Sequence, residues 1–135
     1  MPIKKHNPYK IVKMFEEEIA AYTGAKYAIT VDSCTNALFL VCKYLKVKEV
    51  TIPSETYLSV PMSIMHAGGE VIFDKTPNTN HWKGVYQLKP YPIYDAAKRF
   101  TSDMYIEDSL MCLSFHIKKL LNIGKGGAIL TNSKE

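Results

Sequence analysis

Tyr27-Ala28-Ile29-Thr30-Val31-Asp32-Ser33-Cys34-Thr35-Asn36-Ala37-Leu38 is the stretch on which the fold turns. Tyr27 to Val31 is a short, continuous, largely apolar run, Asp32 and Ser33 interrupt it, and Ala37, Leu38, Leu40, Val41, Tyr44 and Leu45 then recur at helical spacing. This reads as strand, turn, helix. Upstream, Ile11, Phe15, Ile19 and Tyr22 also keep the helical period, which predicts a helix over Tyr9 to Tyr22 with Gly24 where a helix C-terminus favours glycine. Downstream, Val50 to Ile52 is a second short strand stopped by Pro53. Leu58 to Ala67 then reads as a helix with Ser59 as N-cap, Pro61 in its first turn and Gly68-Gly69 as its stop; Glu70 to Phe73 is a third strand.

Short strands alternating with helices imply βαβ units and an α/β fold with a mostly parallel sheet. The pattern changes after Asp74. TPNTNHWKG, ending at Gly84, is loop chemistry, and the extended segments beyond it are Val85 to Leu88, Pro92 to Tyr94, Met104 to Ile106, Met111 to Phe115 and Gly127 to Leu130. The second half is therefore strand-rich, with one turn of helix expected around Lys118 to Leu121. There is no internal repeat and no low-complexity segment.

Composition supports a soluble globular domain. The 135 residues are 47% hydrophobic and 22% charged, and a chain of this length buries roughly two-thirds of its unfolded surface in one core. No apolar run approaches the ~18–20 residues of a membrane span, and the first residues lack the apolar core of a leader, so a cytoplasmic protein without a membrane partner is expected. Cys34, Cys42 and Cys112 are odd in number and far from metal-ligand spacing; reduced thiols and no metal are expected. The net charge of +4 is spread over several places with no basic stripe and interleaved aromatics, which argues against nucleic acid and suits a small anionic ligand.

Three constellations carry chemistry. Asp32-Ser33-Cys34-Thr35-Asn36-Ala37 lies between a strand and a helix, where unpaired N–H groups and two hydroxyls form an anion site; the same spacing is equally consistent with Ser33 merely capping the helix. Asp95, in Ile93-Tyr94-Asp95-Ala96-Ala97, ends an extended run, and a carboxylate at the C-terminal edge of a parallel sheet faces the crevice where ligands bind; strand-ending Asp residues also simply start turns. Ser114-Phe115-His116-Ile117-Lys118-Lys119 leads into Gly124-Lys125-Gly126-Gly127, placing lysine between a strand and a Gly-rich loop. That lysine reads either as a desolvated nucleophile or as part of a solvated basic turn. The loop lacks the Gly-x-x-x-x-Gly-Lys-Ser/Thr pattern of a P-loop.

Taken in order, these segments resemble the DegT/StrS-type pyridoxal-phosphate-dependent sugar aminotransferases, of the aspartate aminotransferase fold (fold type I). FEEEIAAYTGAKYAITVDSCTNAL (Phe15 to Leu38) is similar to that family's opening helix and phosphate turn. IPSETYLSVPMSIMHAGGEVIFD (Ile52 to Asp74) is similar to its next block, YDAA (Tyr94 to Ala97) to its "EDAAQ", and SFHIKKLLNIGKGGAILTN (Ser114 to Asn132) to its "SFHxxKNLxxGEGGxxxT". The resemblance implies a shortened large domain of that fold over residues 1–135, without the family's C-terminal small domain.

It also implies pyridoxal 5'-phosphate as cofactor, with Lys119 forming the Schiff base and removing the substrate proton, and Asp95 pairing with the pyridine nitrogen. Tyr57 falls on the position that lies over the ring, and Cys34, Thr35, Asn36 and Ser114 fall on phosphate-binding positions. Lys98 stands where the family has Gln or His, either near the cofactor or in solvent. Lys125 replaces the Glu of "GEGG", and Leu120 replaces the Asn after the lysine. Only Lys75 to Tyr91 fills a region where the family has a further strand and helix.

The function implied is amino transfer between a small-molecule donor and a keto or amino sugar, nucleotide-linked, by a homodimer. The alternatives are a non-catalytic cofactor-binding or structural remnant of the family, and a small phosphate binder unrelated to it.

Overall fold

The computed structural model describes residues 7–76, 84–116 and 119–134. Helix α1 runs over Lys10–Thr23, and strand β1 (Tyr27–Val31) and helix α2 (Cys34–Tyr44) follow it. Strand β2 (Glu49–Pro53), helix α3 (Ser59–His66) and strand β3 (Glu70–Asp74) complete the first half. Strands β4 (Tyr86–Leu88), β5 (Ile93–Asp95), β6 (Leu110–Ser114) and β7 (Gly127–Thr131) form the second.

The last four strands and β1 make one sheet in the order β1-β7-β6-β5-β4, while β2 and β3 pair in parallel beside it. A bridge between Thr51 and Lys89 joins the two: Thr51 N–H donates to the Lys89 carbonyl at 2.8 Å, and Lys89 N–H returns to Thr51 at 3.0 Å. The pairing directions set β1, β2, β3, β5 and β6 one way and β4 and β7 the other. The sheet is thus mixed: five of the seven strands share one direction, while within the five-stranded sheet only β5 and β6 pair in parallel.

Beta4 runs backwards for a steric reason. Only residues 89–92 separate it from β5, whereas a parallel crossover needs a dozen or more, so the two close as an antiparallel hairpin with Tyr86 opposite Asp95.

The sheet is buried on both faces, and strand alternation shows it. Met111, Leu113, Ala128 and Leu130 point into a cluster with Ile19 of α1 and Phe115, whereas Cys112, Ile129 and Ile93 point to the other side, into a cluster with Leu38 and Val41 of α2 and Ile64 of α3. Phe115 is clasped edge-on by Phe15 and Phe100, at centroid distances of 5.6 and 6.1 Å.

Helix α1 ends as expected, on Gly24 in the left-handed conformation (φ 83°) with its N–H on the Ala20 carbonyl at 3.0 Å. Its remaining end carbonyls decide the fate of a later segment. Asp103 N–H donates to the Tyr22 carbonyl at 3.0 Å and Tyr105 N–H to Thr23 at 2.9 Å, so Met104 to Ile106, expected as a strand, caps a helix instead. Glu16 of α1 serves the edge strand β1, accepting from Thr30 N–H (3.3 Å) and Thr30 Oγ1 (2.8 Å).

Three further expectations change. Pro53 closes β2 from within, because proline at the last position of a strand forfeits little of the ladder. Ser59 lies inside α3, which starts after Leu58 without a side-chain cap, and Ser59's carbonyl accepts from Ser63 Oγ at 2.7 Å. The helical turn expected around Lys118 to Leu121 lies partly outside the described residues, and residues 119–121 form a bend.

Candidate active site

Chain direction gathers the sequence's chemical groups at one edge. Cys34, Thr35 and Asn36 follow the C-terminal end of β1 and Tyr57 that of β2; Asp95 ends β5, and Ser114 ends β6 ahead of Lys119. These four strands run in the same direction, so their ends line the crevice where ligands of α/β sheets bind.

Asp95 is the centre of the arrangement. It is only 6% exposed, and its carboxylate takes three donors from three parts of the chain. Tyr86 Oη donates to Oδ2 at 2.7 Å; the Ala97 N–H donates to Oδ1 at 2.9 Å; and the Cys34 thiol reaches Oδ1 at 3.9 Å, a long contact even for sulfur. Burial pushes the carboxyl above its ordinary range, while the Tyr86 hydroxyl, the Ala97 amide, the Lys119 charge and the Cys34 thiol oppose the rise. The Lys119 charge also acts on Cys34, so Cys34, Asp95 and Lys119 lie within one another's electrostatic reach.

Cys34 itself is pushed well above the usual thiol range by burial and then by Asp95. Tyr86 is pushed up by the same two causes. Both therefore remain protonated near neutral pH and serve Asp95 as donors.

The turn at the start of α2 is built by close packing. Ser33 caps the helix, its Oγ accepting from Asn36 N–H at 3.1 Å, and Asn36 Nδ2 donates to Asp32 Oδ1 at 2.6 Å. Gly127 of β7 lies directly beneath: a Cβ there would stand 2.7 Å from Cys34 N and from Ser33 C, and 2.8 Å from the Leu113 carbonyl. Ser114 pairs with Gly127 across the sheet, which places this half-buried hydroxyl next to the α2 turn. Ser114 Oγ accepts from His116 N–H at 3.4 Å. Thr35 is exposed on the first turn, and its carbonyl accepts from Ser63 Oγ at 3.3 Å, tying α3 to α2.

Two of the expected residues stand apart. Tyr57 is 81% exposed, and Lys98 is exposed, its carbonyl packed where a Cβ on Gly84 would approach to 2.7 Å. A cleft of about 380 Å³, lined by Val12, Phe15, Phe115 and Ile123 with Lys125 and Asp32, touches the α2 turn through Gly127 but includes neither Asp95 nor Lys119. Tyr86 escaped the sequence reading; its signal was the four-residue connection of the hairpin, which sets position 86 opposite 95. Among the described residues no group of three His, Cys, Asp or Glu side chains is placed to hold a metal. No described helix is long and apolar enough to cross a membrane.

Known proteins share part of this sequence and its fold. Over 65 residues, 46% of this chain and 17% of the relative, the sequence is 42% identical to the spore coat polysaccharide biosynthesis protein SpsC of Bacillus subtilis (strain 168). The fold is shared with DesI, solved in the presence of its TDP-sugar product, at a TM-score of 0.72 and 21% identity over 94% of this chain and 42% of DesI. Spr1654 from Streptococcus pneumoniae, in its PLP form, gives a TM-score of 0.73 at 18% identity over 96% of this chain and 47% of Spr1654. The chain thus spans less than half the length of either solved structure and about a sixth of SpsC. Residues 4–83, more than half of the chain, match the model of the DegT/DnrJ/EryC1/StrS aminotransferase family, and the chain belongs to that family.

Proposed function

We propose that this chain binds pyridoxal 5'-phosphate and carries out amino transfer to a keto sugar, with Lys119 as the covalent attachment point and a nucleotide-linked sugar as substrate. One observation carries the reading: a buried carboxylate, Asp95, within the field of a lysine, Lys119, at the C-terminal edge of the sheet and beside a helix N-terminus. The TDP-sugar of DesI and the polysaccharide role of SpsC support the substrate class.

The residues present fit the cofactor. Asp95 holds three donors, and a carboxylate has roughly four lone-pair sites, so this buried group retains acceptor capacity for a ring N–H. Its negative charge keeps that nitrogen's proton in place. Thr35 and Ser114 offer hydroxyls, and the first turn of α2 its dipole, to a phosphate; Cys34 and Asn36 shape that turn, with the Asn36 amide already engaged by Ser33. Tyr57, in the exposed segment after β2, and the exposed Lys98 would have to turn inward to reach the cofactor.

When bound, the cofactor supplies an electron sink for the pair left on the substrate carbon. The chain supplies the base: the Lys119 amine takes the proton from that carbon and returns it to the other side of the transfer. A homodimer in the reducing cytoplasm is the assembly in keeping with the three unpaired cysteines and the exposed apolar surface.

Borohydride reduction of the chain mixed with pyridoxal 5'-phosphate should leave the cofactor's mass on the peptide that contains Lys119, and Lys119→Ala should abolish it. Labelling elsewhere, or none, sinks the reading. A second reading, a cofactor binder without turnover, draws on Leu120 and Lys125, which are exposed where the family has Asn and Glu. Amino transfer from glutamate to any keto sugar removes it.

A further inference from the structure

Tyr86 belongs to no part of the resemblance, yet it makes the shortest hydrogen bond to the central carboxylate. Its hydroxyl lies 2.7 Å from Asp95 Oδ2, and it reaches there because β4 is antiparallel to β5 with Tyr86 and Asp95 as direct partners. The other donors, Ala97 N–H and the distant Cys34 thiol, both use Oδ1. Oδ2 is therefore oriented by Tyr86. Cross-strand neighbours lie within direct reach of each other, and a buried carboxylate left with one bare oxygen would lose both its fixed plane and part of its ionisation.

We propose that Tyr86 is a positioning residue for Asp95: its phenol fixes the plane of the carboxylate and keeps it an acceptor for the ring nitrogen of the cofactor. The assignment rests on the proposed cofactor site for its purpose, but not for its test. A parallel crossover in place of the short hairpin would not set position 86 opposite 95, so this device belongs to the shortened form of the sheet.

The groups that face Asp95 are Tyr86 from β4, Cys34 from α2, Cys112 from β6 and Lys119 from the loop after β6. The test follows the Asp95 carboxyl carbon by NMR through a pH titration of the cofactor-free protein. Tyr86→Phe keeps the ring and removes the donor; the Asp95 midpoint should rise by about one unit or more, the size expected when a charged acceptor loses a hydrogen bond. Tyr94→Phe, on the opposite face of β5, should leave it unmoved. An unchanged or lowered midpoint in Tyr86→Phe overturns the proposal.

Should Tyr86→Phe fail to fold, difluorotyrosine at position 86 retains the shape and strengthens the donor; the midpoint should then fall, and no fall overturns the proposal. Cofactor affinity supplies the second arm, with Tyr86→Phe about tenfold weaker. If the unaltered chain takes up no cofactor, the proposed function fails while the titration still decides the role of Tyr86.

Discussion

At the scale of single residues, Asp95 makes a pH-dependent contribution to stability. Its carboxyl lies above the ordinary value of 3.8, chiefly because it is buried. Between the ordinary value and the raised one, the folded chain holds a proton that the unfolded chain has released. Stability therefore falls as pH rises through that window. Asp95→Asn keeps the shape and removes the titration, so urea unfolding of the cofactor-free protein should show a flatter dependence on pH there; the same slope in both proteins would refute this. Asp95 was legible in the sequence as a candidate because it ends an extended run, which puts its carboxylate at the edge of a sheet. Tyr86 was not, because nothing about a tyrosine in an extended run says which residue will face it until the neighbouring strand's direction is known.

At the scale of elements, periodicity predicted most of the architecture. Beta1 falls on the expected residues and α1 within one of them, while α2 starts three residues before Ala37, the first residue of its apolar pattern. The failures share a cause in backbone hydrogen bonds that periodicity does not see. Met104 to Ile106 has strand-like side chains, but the Asp103 and Tyr105 amides are taken by the open end of α1. Ser59 and Ser33 illustrate the same lesson from opposite sides. Both hydroxyls precede or begin a helix; only Ser33 has the extended backbone (φ −162°, ψ 159°) that lets its side chain turn back on Asn36 N–H. Ser33→Ala should cost about 1 kcal/mol in chemical denaturation, whereas an effect near zero would mean that the close packing on Gly127 alone seats the helix.

At the scale of the whole molecule, the two core clusters account for the sheet but leave apolar side chains uncovered. Ile11, Val12 and Met14 stand out from the first half of α1, Met62 and Met65 from α3, and Ile72 and Phe73 from β3. Surfaces of this kind are covered in stable assemblies. Analytical ultracentrifugation at micromolar concentration should find a dimer, and a single species of monomer mass would contradict that expectation.

The bridge between Thr51 and Lys89 gives this molecule a seam. On one side lie Asp95, Ser114 and Lys119, held by five laterally bonded strands; on the other lies Tyr57, at the end of a two-stranded unit. One pair of backbone hydrogen bonds spans the sheet between them, with Lys48 N–H donating to Tyr91 Oη at 2.8 Å and the α2–α3 contact through Ser63 and Thr35 as further ties among the described residues. A fluctuation that opens a sheet does so where its rungs are fewest. That line of weakness separates Tyr57 from Asp95, Ser114 and Lys119, so a slippage that frays the sheet there also shifts them relative to one another. Resistance to shear across one residue pair thus sets how firmly Tyr57 is held in place relative to the charged groups.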